Sequence, residues 1–77
     1  MIHEEILKHG YLNVRTLSNG VTAALYPSML FGAGRICFDI REHGYETHTN
    51  FESFIAASVL FSSGDDSELI ELYEQSL

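Results

Sequence analysis

The sequence contains few of the residues that form disulfides, break the backbone or contact phosphates. Its 77 residues include one cysteine, one proline, no tryptophan and four Lys and Arg together. The single cysteine, Cys37, excludes a disulfide within the chain and is typical of a reducing compartment. No apolar run approaches the roughly eighteen residues of a membrane-spanning helix, so no membrane association is expected.

The N-terminal segment, Met1 to Glu5, has neither the basic region nor the apolar stretch of a secretion signal. We therefore expect a cytoplasmic protein. The length predicts a single domain over residues 1–77, close to the size at which one apolar core suffices without disulfides or metals. An apolar share of 45% is typical of a globular chain and argues against disorder.

Acidic residues outnumber basic ones, with eleven Asp and Glu against four Lys and Arg and a formal net charge of −7. A negative field repels the phosphates of nucleic acids at long range, so direct nucleic-acid binding is not expected. The same field favours a protein partner with a basic surface, and nucleic-acid-binding proteins are the largest class of these. The simpler interpretation is that the charge keeps the protein soluble.

Hydrophobic periodicity and turn signals predict an α+β fold. The expected architecture is an antiparallel sheet of about four strands, made of two hairpins, with a short N-terminal helix and two C-terminal helices packed on the sheet. The predicted elements cover residues 2–9, 12–17, 21–26, 35–42, 45–48, 51–61 and 68–76. Gly10 follows the first helix and is placed to end it.

Both hairpins are predicted to have two-residue turns. Asn19-Gly20 is the typical sequence of a type I′ turn, and His43-Gly44 is similar to it. The predicted cross-strand pairs of the first hairpin are Ser18–Val21, Thr16–Ala23 and Val14–Leu25. Those of the second hairpin are Arg41–Glu46 and Asp39–His48, both of which are favourable pairs.

Alternation along the strands predicts a core face and a polar face of the sheet. On the third strand the side chains assigned to the core are Ile36, Phe38 and Ile40. The side chains assigned to the polar face are Arg15, Arg35, Cys37, Asp39 and Arg41, with Tyr11 and Tyr26 nearby. Arginines beside tyrosines can stack single-stranded bases, so single-stranded nucleic-acid binding is one alternative function. The simpler interpretation is that the arginines pair with Asp39 and Glu46.

The segment Thr49-Asn50-Phe51-Glu52 has the form of a capping box and predicts the start of the first C-terminal helix. The side chains expected to form its sheet-covering face are Phe51, Phe54, Ile55, Ser58, Val59 and Phe61. Gly64 breaks this helix, and the acids that follow supply the cap and the negative charge that favour a last helix.

The last helix has a ridge of carboxylates, since residues 65–74 contain five acids and no base. The candidate partner-binding acids are Asp65, Asp66, Glu68, Glu71 and Glu74. Such a ridge can dock on a basic protein surface or occupy a groove that normally holds phosphates. The simpler interpretation is the solvated face of an amphipathic helix.

The loop after Pro27 is a second candidate contact, because Met29, Leu30 and Phe31 are three large apolar residues in succession. Exposed apolar patches usually mark a partner, and Met and Phe are enriched in interface cores. The alternative is that this loop folds over the end of the core.

Catalytic and metal-binding patterns are weak, and we expect neither an enzyme nor a cofactor. The four histidines lack the spacing of metal ligands, and no metal site is predicted. A set of Cys37, Asp39 and His48 could meet on the polar face in the manner of a nucleophile, base and orienting group. It has no neighbouring oxyanion donor, and nothing in the sequence marks Cys37 as an activated thiol.

The predicted outline resembles several small phage-encoded inhibitors of host defence, including some anti-CRISPR proteins, which combine a four-stranded antiparallel sheet with two helices in an acidic domain. The resemblance rests on size, charge and order of elements, and it transfers no functional residue. The leading hypothesis is a non-enzymatic protein that binds and covers another protein's surface, by phosphate mimicry if the partner handles nucleic acid. An oligomeric structural or accessory subunit, such as a homodimer, is the main alternative.

Overall fold

Four strands form one antiparallel sheet whose spatial order follows their order in the chain. The computed structural model describes residues 2–28 and 32–77. Its elements are α1 (His3–Lys8), β1 (Asn13–Thr16), β2 (Thr22–Pro27), β3 (Gly34–Arg41), β4 (Gly44–Phe51), α2 (Phe54–Ser63) and α3 (Asp66–Ser76). The predicted α+β class, with a four-stranded sheet, a short N-terminal helix and two C-terminal helices, is confirmed.

Apolar side chains pack on both faces of the sheet. The helix face, covered by α2 and α3, includes the buried residues Leu17, Ala23, Leu25, Ile36, Phe38, Ala57, Phe61 and Leu69. The α1 face includes Ile6, Tyr11, Ala24, Cys37 and Ile40. The side of the sheet predicted to be polar is therefore a second, smaller core.

The first hairpin has a three-residue turn, so its predicted register is wrong by one residue. The N–H of Leu17 donates to the carbonyl of Val21 at 2.8 Å, and Gly20 has a φ of +88°. A left-handed glycine at the end of a three-residue connection is typical of a turn followed by a bulge. The observed pairs are Asn13–Leu25, Val14–Ala24, Arg15–Ala23 and Thr16–Thr22. Because a one-residue shift exchanges the two faces, Arg15 lies on the helix face rather than the predicted polar face.

The second hairpin is shifted by two residues from its predicted register. Arg41 pairs with Gly44 and Cys37 pairs with His48, so the predicted register of Arg41–Glu46 and Asp39–His48 is wrong. The side chain of Arg41 nevertheless contacts Asp39 at 2.6 Å and Glu46 at 3.7 Å, as the simpler interpretation of the polar face predicts for this arginine. The residue with positive φ in this turn is Gly44, which follows the two turn residues instead of being one of them. A shift of two residues by itself does not exchange the faces of a strand.

Asp39 interrupts the alternation of β3. Its φ of +56° lies in the left-handed region, which Asp tolerates better than most residues do. Beyond it, Ile40 packs on the α1 face instead of joining Ile36 and Phe38. The prediction that Ile40 shares one face of the sheet with Ile36 and Phe38 is thus wrong.

The start of α2 lies three residues later than the capping-box pattern predicts. Residues 49–51 continue β4 and pair with β3, so their backbone groups are used in the sheet. The N-cap is Ser53, whose Oγ accepts the N–H of Ala56 at 3.3 Å. The helix then approaches β3 closely, since a methyl group on Gly34 would lie 2.9 Å from the Cα of Phe54.

Candidate functional site

The acidic ridge of α3 points to solvent as predicted. Asp65 is the N-cap, with its Oδ1 accepting the N–H of Glu68 at 3.1 Å and the hydroxyl of Ser67 at 2.7 Å. The hydrogen bond from Ser67, followed by that from the Glu68 backbone, lowers the pKa of Asp65. Leu69 is fully buried against the sheet, which turns the opposite side of α3 outward. The exposed carboxylates of that side are Glu68, Glu71 and Glu74.

Asp66 differs from the other acids of the candidate site because it is bonded within the fold. Its Oδ1 lies 2.6 Å from Nη2 of Arg15, and its Oδ2 accepts the N–H of Ser18 at 2.7 Å. These contacts join the start of α3 to the first hairpin. Most of the hydrogen-bonding capacity of Asp66 is therefore used inside the molecule.

Arg15 also closes the C-terminal end of α2. Its Nη1 donates to the carbonyls of Phe61 and Gly64, each at 2.9 Å. Carbonyls at a helix end have no partner within the helix, so a guanidinium there satisfies groups that burial would leave unbonded. Arg15 thus has a structural position between β1, α2 and α3.

The outer face of α2 is apolar, which sequence analysis missed. Ala57 and Phe61 face the sheet, whereas Ile55 and Val59, one turn apart, are 73% and 59% exposed. Both had been assigned to the covered face. The signal was present in the composition, because the helix has no charged residue and so has no polar side to turn toward water.

Through Leu60, α2 also meets the acidic ridge of α3. Leu60 of α2 and Leu72 of α3 line a shallow groove of about 270 Å³ between the two helices, together with Glu68, Glu71 and Gln75. We call the surface formed by Ile55, Val59, Leu60, Glu68, Glu71 and Leu72 the α2–α3 surface. It combines apolar side chains of both helices with carboxylates of α3.

The α1 face carries a separate depression, which we call the aromatic cavity. It has a volume of about 520 Å³. Its lining residues are His9, Tyr11, Tyr26, Arg35, Arg41, Glu42, His43, Gly44 and Tyr45. The rings of Tyr11 and Tyr26 meet edge to face, with centroids 5.4 Å apart. The polar face predicted from the sequence contains four of these residues, Tyr11, Tyr26, Arg35 and Arg41. The prediction also included Arg15, which lies on the helix face, and did not include Tyr45.

Cys37 and His48 are neighbours across β3 and β4, but their environment does not activate the thiol. Cys37 is fully buried, and burial raises its pKa to about 12 despite the opposing effect of Arg35. Burial and the charge of Arg35 lower the pKa of His48. Asp39 instead bonds Arg41 at 2.6 Å. The thiol is thus protonated at neutral pH, and the predicted set of three groups does not assemble.

Residues 2–28 and 32–77 contain no group of three or more His, Cys, Asp or Glu side chains arranged to hold a metal ion. No helix in these ranges is long and apolar enough to cross a membrane. The second candidate contact, Met29, Leu30 and Phe31, lies outside the described residues. The chain matches no known protein family, and comparisons with curated proteins and with solved structures give no match.

Proposed function

We propose that this protein binds another protein through the α2–α3 surface. The observations that carry the proposal are the exposure of Ile55 and Val59 on α2 and the groove that Leu60 of the same helix lines with Glu68 and Glu71 of α3. Protein interfaces combine an apolar centre, which supplies most of the affinity, with a polar rim that sets specificity. The α2–α3 surface has this composition within two neighbouring helices.

The charge of the rim selects the chemistry of the partner. Residues 65–74 contain no base, so the edge of the surface complements arginines and lysines around an apolar contact. A protein whose basic groove normally holds phosphates presents arginines and lysines of this kind. The proposed action is therefore non-enzymatic occlusion of a nucleic-acid-handling protein.

The test compares two charge reversals that change the net charge equally. The protein with Glu68→Lys and Glu71→Lys changes the rim, and the control with Glu4→Lys and Glu5→Lys changes exposed acids of α1. Each tagged protein is used to capture partners from a lysate of its native host. We expect a protein that wild type and the control capture but that the rim variant does not.

The apolar centre is tested separately with Ile55→Ser. Since Ile55 is 73% exposed, this change leaves the fold intact and should weaken capture of the same protein. Capture should also weaken as salt rises, because the rim is electrostatic. Equal capture by wild type and both surface variants would refute the proposal.

A second copy of the chain is the alternative occupant of the α2–α3 surface. The observation that favours it is the absence of charge on α2, which lets two copies pack this helix without opposing like charges. Sedimentation at micromolar concentration distinguishes the two cases. A dimer that Val59→Asp converts to a monomer supports self-association, whereas a monomeric wild-type protein supports a different partner.

A further inference from the structure

The aromatic cavity has the size and lining of a small-molecule site, and it lies on the opposite face of the sheet from the α2–α3 surface. Its volume of about 520 Å³ falls within the range of roughly 300–1,000 Å³ that ligand pockets occupy. Tyr11 is buried, and Tyr26 and Tyr45 are half-buried, so the floor is aromatic. The exposed rim comes from the end of α1 and the turn between β3 and β4.

Arg35 is the cation of the cavity that no carboxylate neutralises. Its Nη1 donates to the hydroxyl of Tyr45 and its Nε to Oδ1 of Asn50, both neutral acceptors at 2.9 Å. Among the described residues, Asp and Glu oxygens lie within salt-bridge distance of Arg15 and Arg41 but not of Arg35. Its charge is felt nearby, since it contributes to lowering the pKa of His48.

A carboxylate stands at the mouth of the same cavity. Glu42 is exposed in the turn between β3 and β4 and contributes to the lining. Carboxylates accept hydrogen bonds from sugar hydroxyls, arginines bind phosphate oxygens, and tyrosine rings stack on nucleobases. The three kinds of group that a nucleotide requires are therefore present together.

We propose that the aromatic cavity binds a nucleoside monophosphate. Arg35 contacts the phosphate, the tyrosine rings contact the base, and Glu42 accepts from the ribose hydroxyls. This proposal goes beyond the protein-binding function and does not depend on it, because the two sites share no residue.

The charge around the cavity favours a free nucleotide over a nucleic-acid strand. The shallow depression next to it is lined by Glu5 and Glu42, with Lys8 and His9. The additional phosphates of a strand would approach a protein with a net charge of −7. Long-range repulsion therefore favours a ligand with a single phosphate over a strand.

The experiment titrates the full-length protein with the four common nucleoside monophosphates and follows backbone amides by NMR. Adenosine, ribose 5-phosphate and a short single-stranded oligoadenylate are titrated in parallel. We expect saturable shifts at residues lining the cavity, with binding at least about tenfold weaker when the base or the phosphate is missing. Absence of binding by all four mononucleotides, or equal binding of adenosine, would overturn the proposal. Tighter binding of the oligoadenylate would also overturn it, in favour of a strand.

Arg35→Gln should weaken nucleotide binding at least about tenfold, because it removes the charged phosphate contact. Lys8→Gln is the control, since it makes the same change in net charge outside the cavity lining. Unchanged binding by Arg35→Gln contradicts the proposal. If that variant does not fold, Arg35→Lys replaces it. We expect Arg35→Lys to retain the charge but to bind more weakly than wild type, and equal affinity would count against Arg35 as the phosphate ligand.

Discussion

Arg15 joins three segments that are far apart in sequence. One guanidinium contacts the last turn of α2, the residue after it and the first turn of α3, and its side chain is 28% exposed. A cation that is partly removed from water and has several good acceptors contributes more than a surface ion pair does. Arg15 is therefore the arginine on which the packing of the C-terminal helices depends.

We expect Arg15→Ala to lower the free energy of unfolding by about 2 kcal/mol, because it removes the donor to the carbonyls of Phe61 and Gly64 and to Oδ1 of Asp66. Urea-induced unfolding followed by circular dichroism measures the change. Lys8→Ala is the control, since Lys8 is exposed and its loss removes the same charge. Equal unfolding midpoints for the two variants would contradict the structural role of Arg15.

The fold favours the protonated, neutral forms of the Cys37 thiol and the Tyr11 hydroxyl. Burial is the main cause that raises the pKa of Cys37 from 9.0 to about 12 and that of Tyr11 from 10.0 to about 12. Both groups pack on the α1 face, behind α1. At a pH between the unfolded and the folded pKa of each group, the folded chain holds the proton that the unfolded chain has released.

The contribution of these raised pKa values to the free energy of unfolding should therefore be fully present below about pH 9. It should be lost as the pH rises from 9 toward 12. The sign follows because the folded state binds more protons than the unfolded state in this range, which makes the free energy of unfolding fall with pH. Urea unfolding at a series of pH values measures the slope. Cys37→Ala should show a shallower slope than wild type, and identical slopes would show that the thiol is not protected.

At the scale of elements, α2 departs furthest from its expected role. Helices on a sheet normally turn a polar side outward, but α2 exposes Ile55 and Val59. The apolar character of this helix was readable in the sequence. The exposed side of α2 could be recognised only once the position of α3 was known. If α3 had packed on the outer side of α2, it would have covered Ile55 and Val59.

Turns decided which faces the strands present. Asn19-Gly20 correctly predicts a hairpin, but the turn contains three residues instead of two. The extra residue lets Leu17 reach the helix-face core, where it is 2% exposed, and brings Arg15 to the helix ends. The local signal for a turn does not contain these long-range contacts, so the register was predicted wrongly.

At the scale of the whole molecule, charge and apolar surface are divided between the two sides of the sheet. Acids dominate the side of α3, and the uncompensated arginine faces the aromatic cavity on the other side. Acidic neighbours within one helix repel each other, and α3 has no basic residue in its last turn, where a cation would be favourable. We therefore expect α3 to be less stable than a helix of the same length that has favourable charges.

We expect Glu74→Lys to raise the free energy of unfolding by roughly 0.3–1 kcal/mol, through the helix dipole and attraction to Glu71. The same substitution reverses a charge of the proposed partner-binding ridge, so it should reduce capture of the partner protein. Thermal unfolding and the capture assay give the two measurements. Glu74→Gln, which removes the charge without reversing it, should lie between wild type and Glu74→Lys in both.

If Glu74→Lys raises the free energy of unfolding but reduces capture of the partner, the ridge is retained for binding at a cost in stability. A variant that is more stable and captures the partner as well as wild type does would show that Glu74 lies outside the contact. A less stable variant would contradict the repulsion argument itself.

The sequence by itself determined the number and type of the elements, the end of α1 and the start of α3. Gly10 follows α1 with a φ of +97°, and Asp65 caps α3, because these effects act within one turn of the chain. Only the tertiary structure decided the register of the hairpins, the face on which Arg15 lies and the side of α2 left exposed. Those features depend on contacts between segments distant in sequence, and a shift of one residue in β1 is enough to move Arg15 to the other face of the sheet.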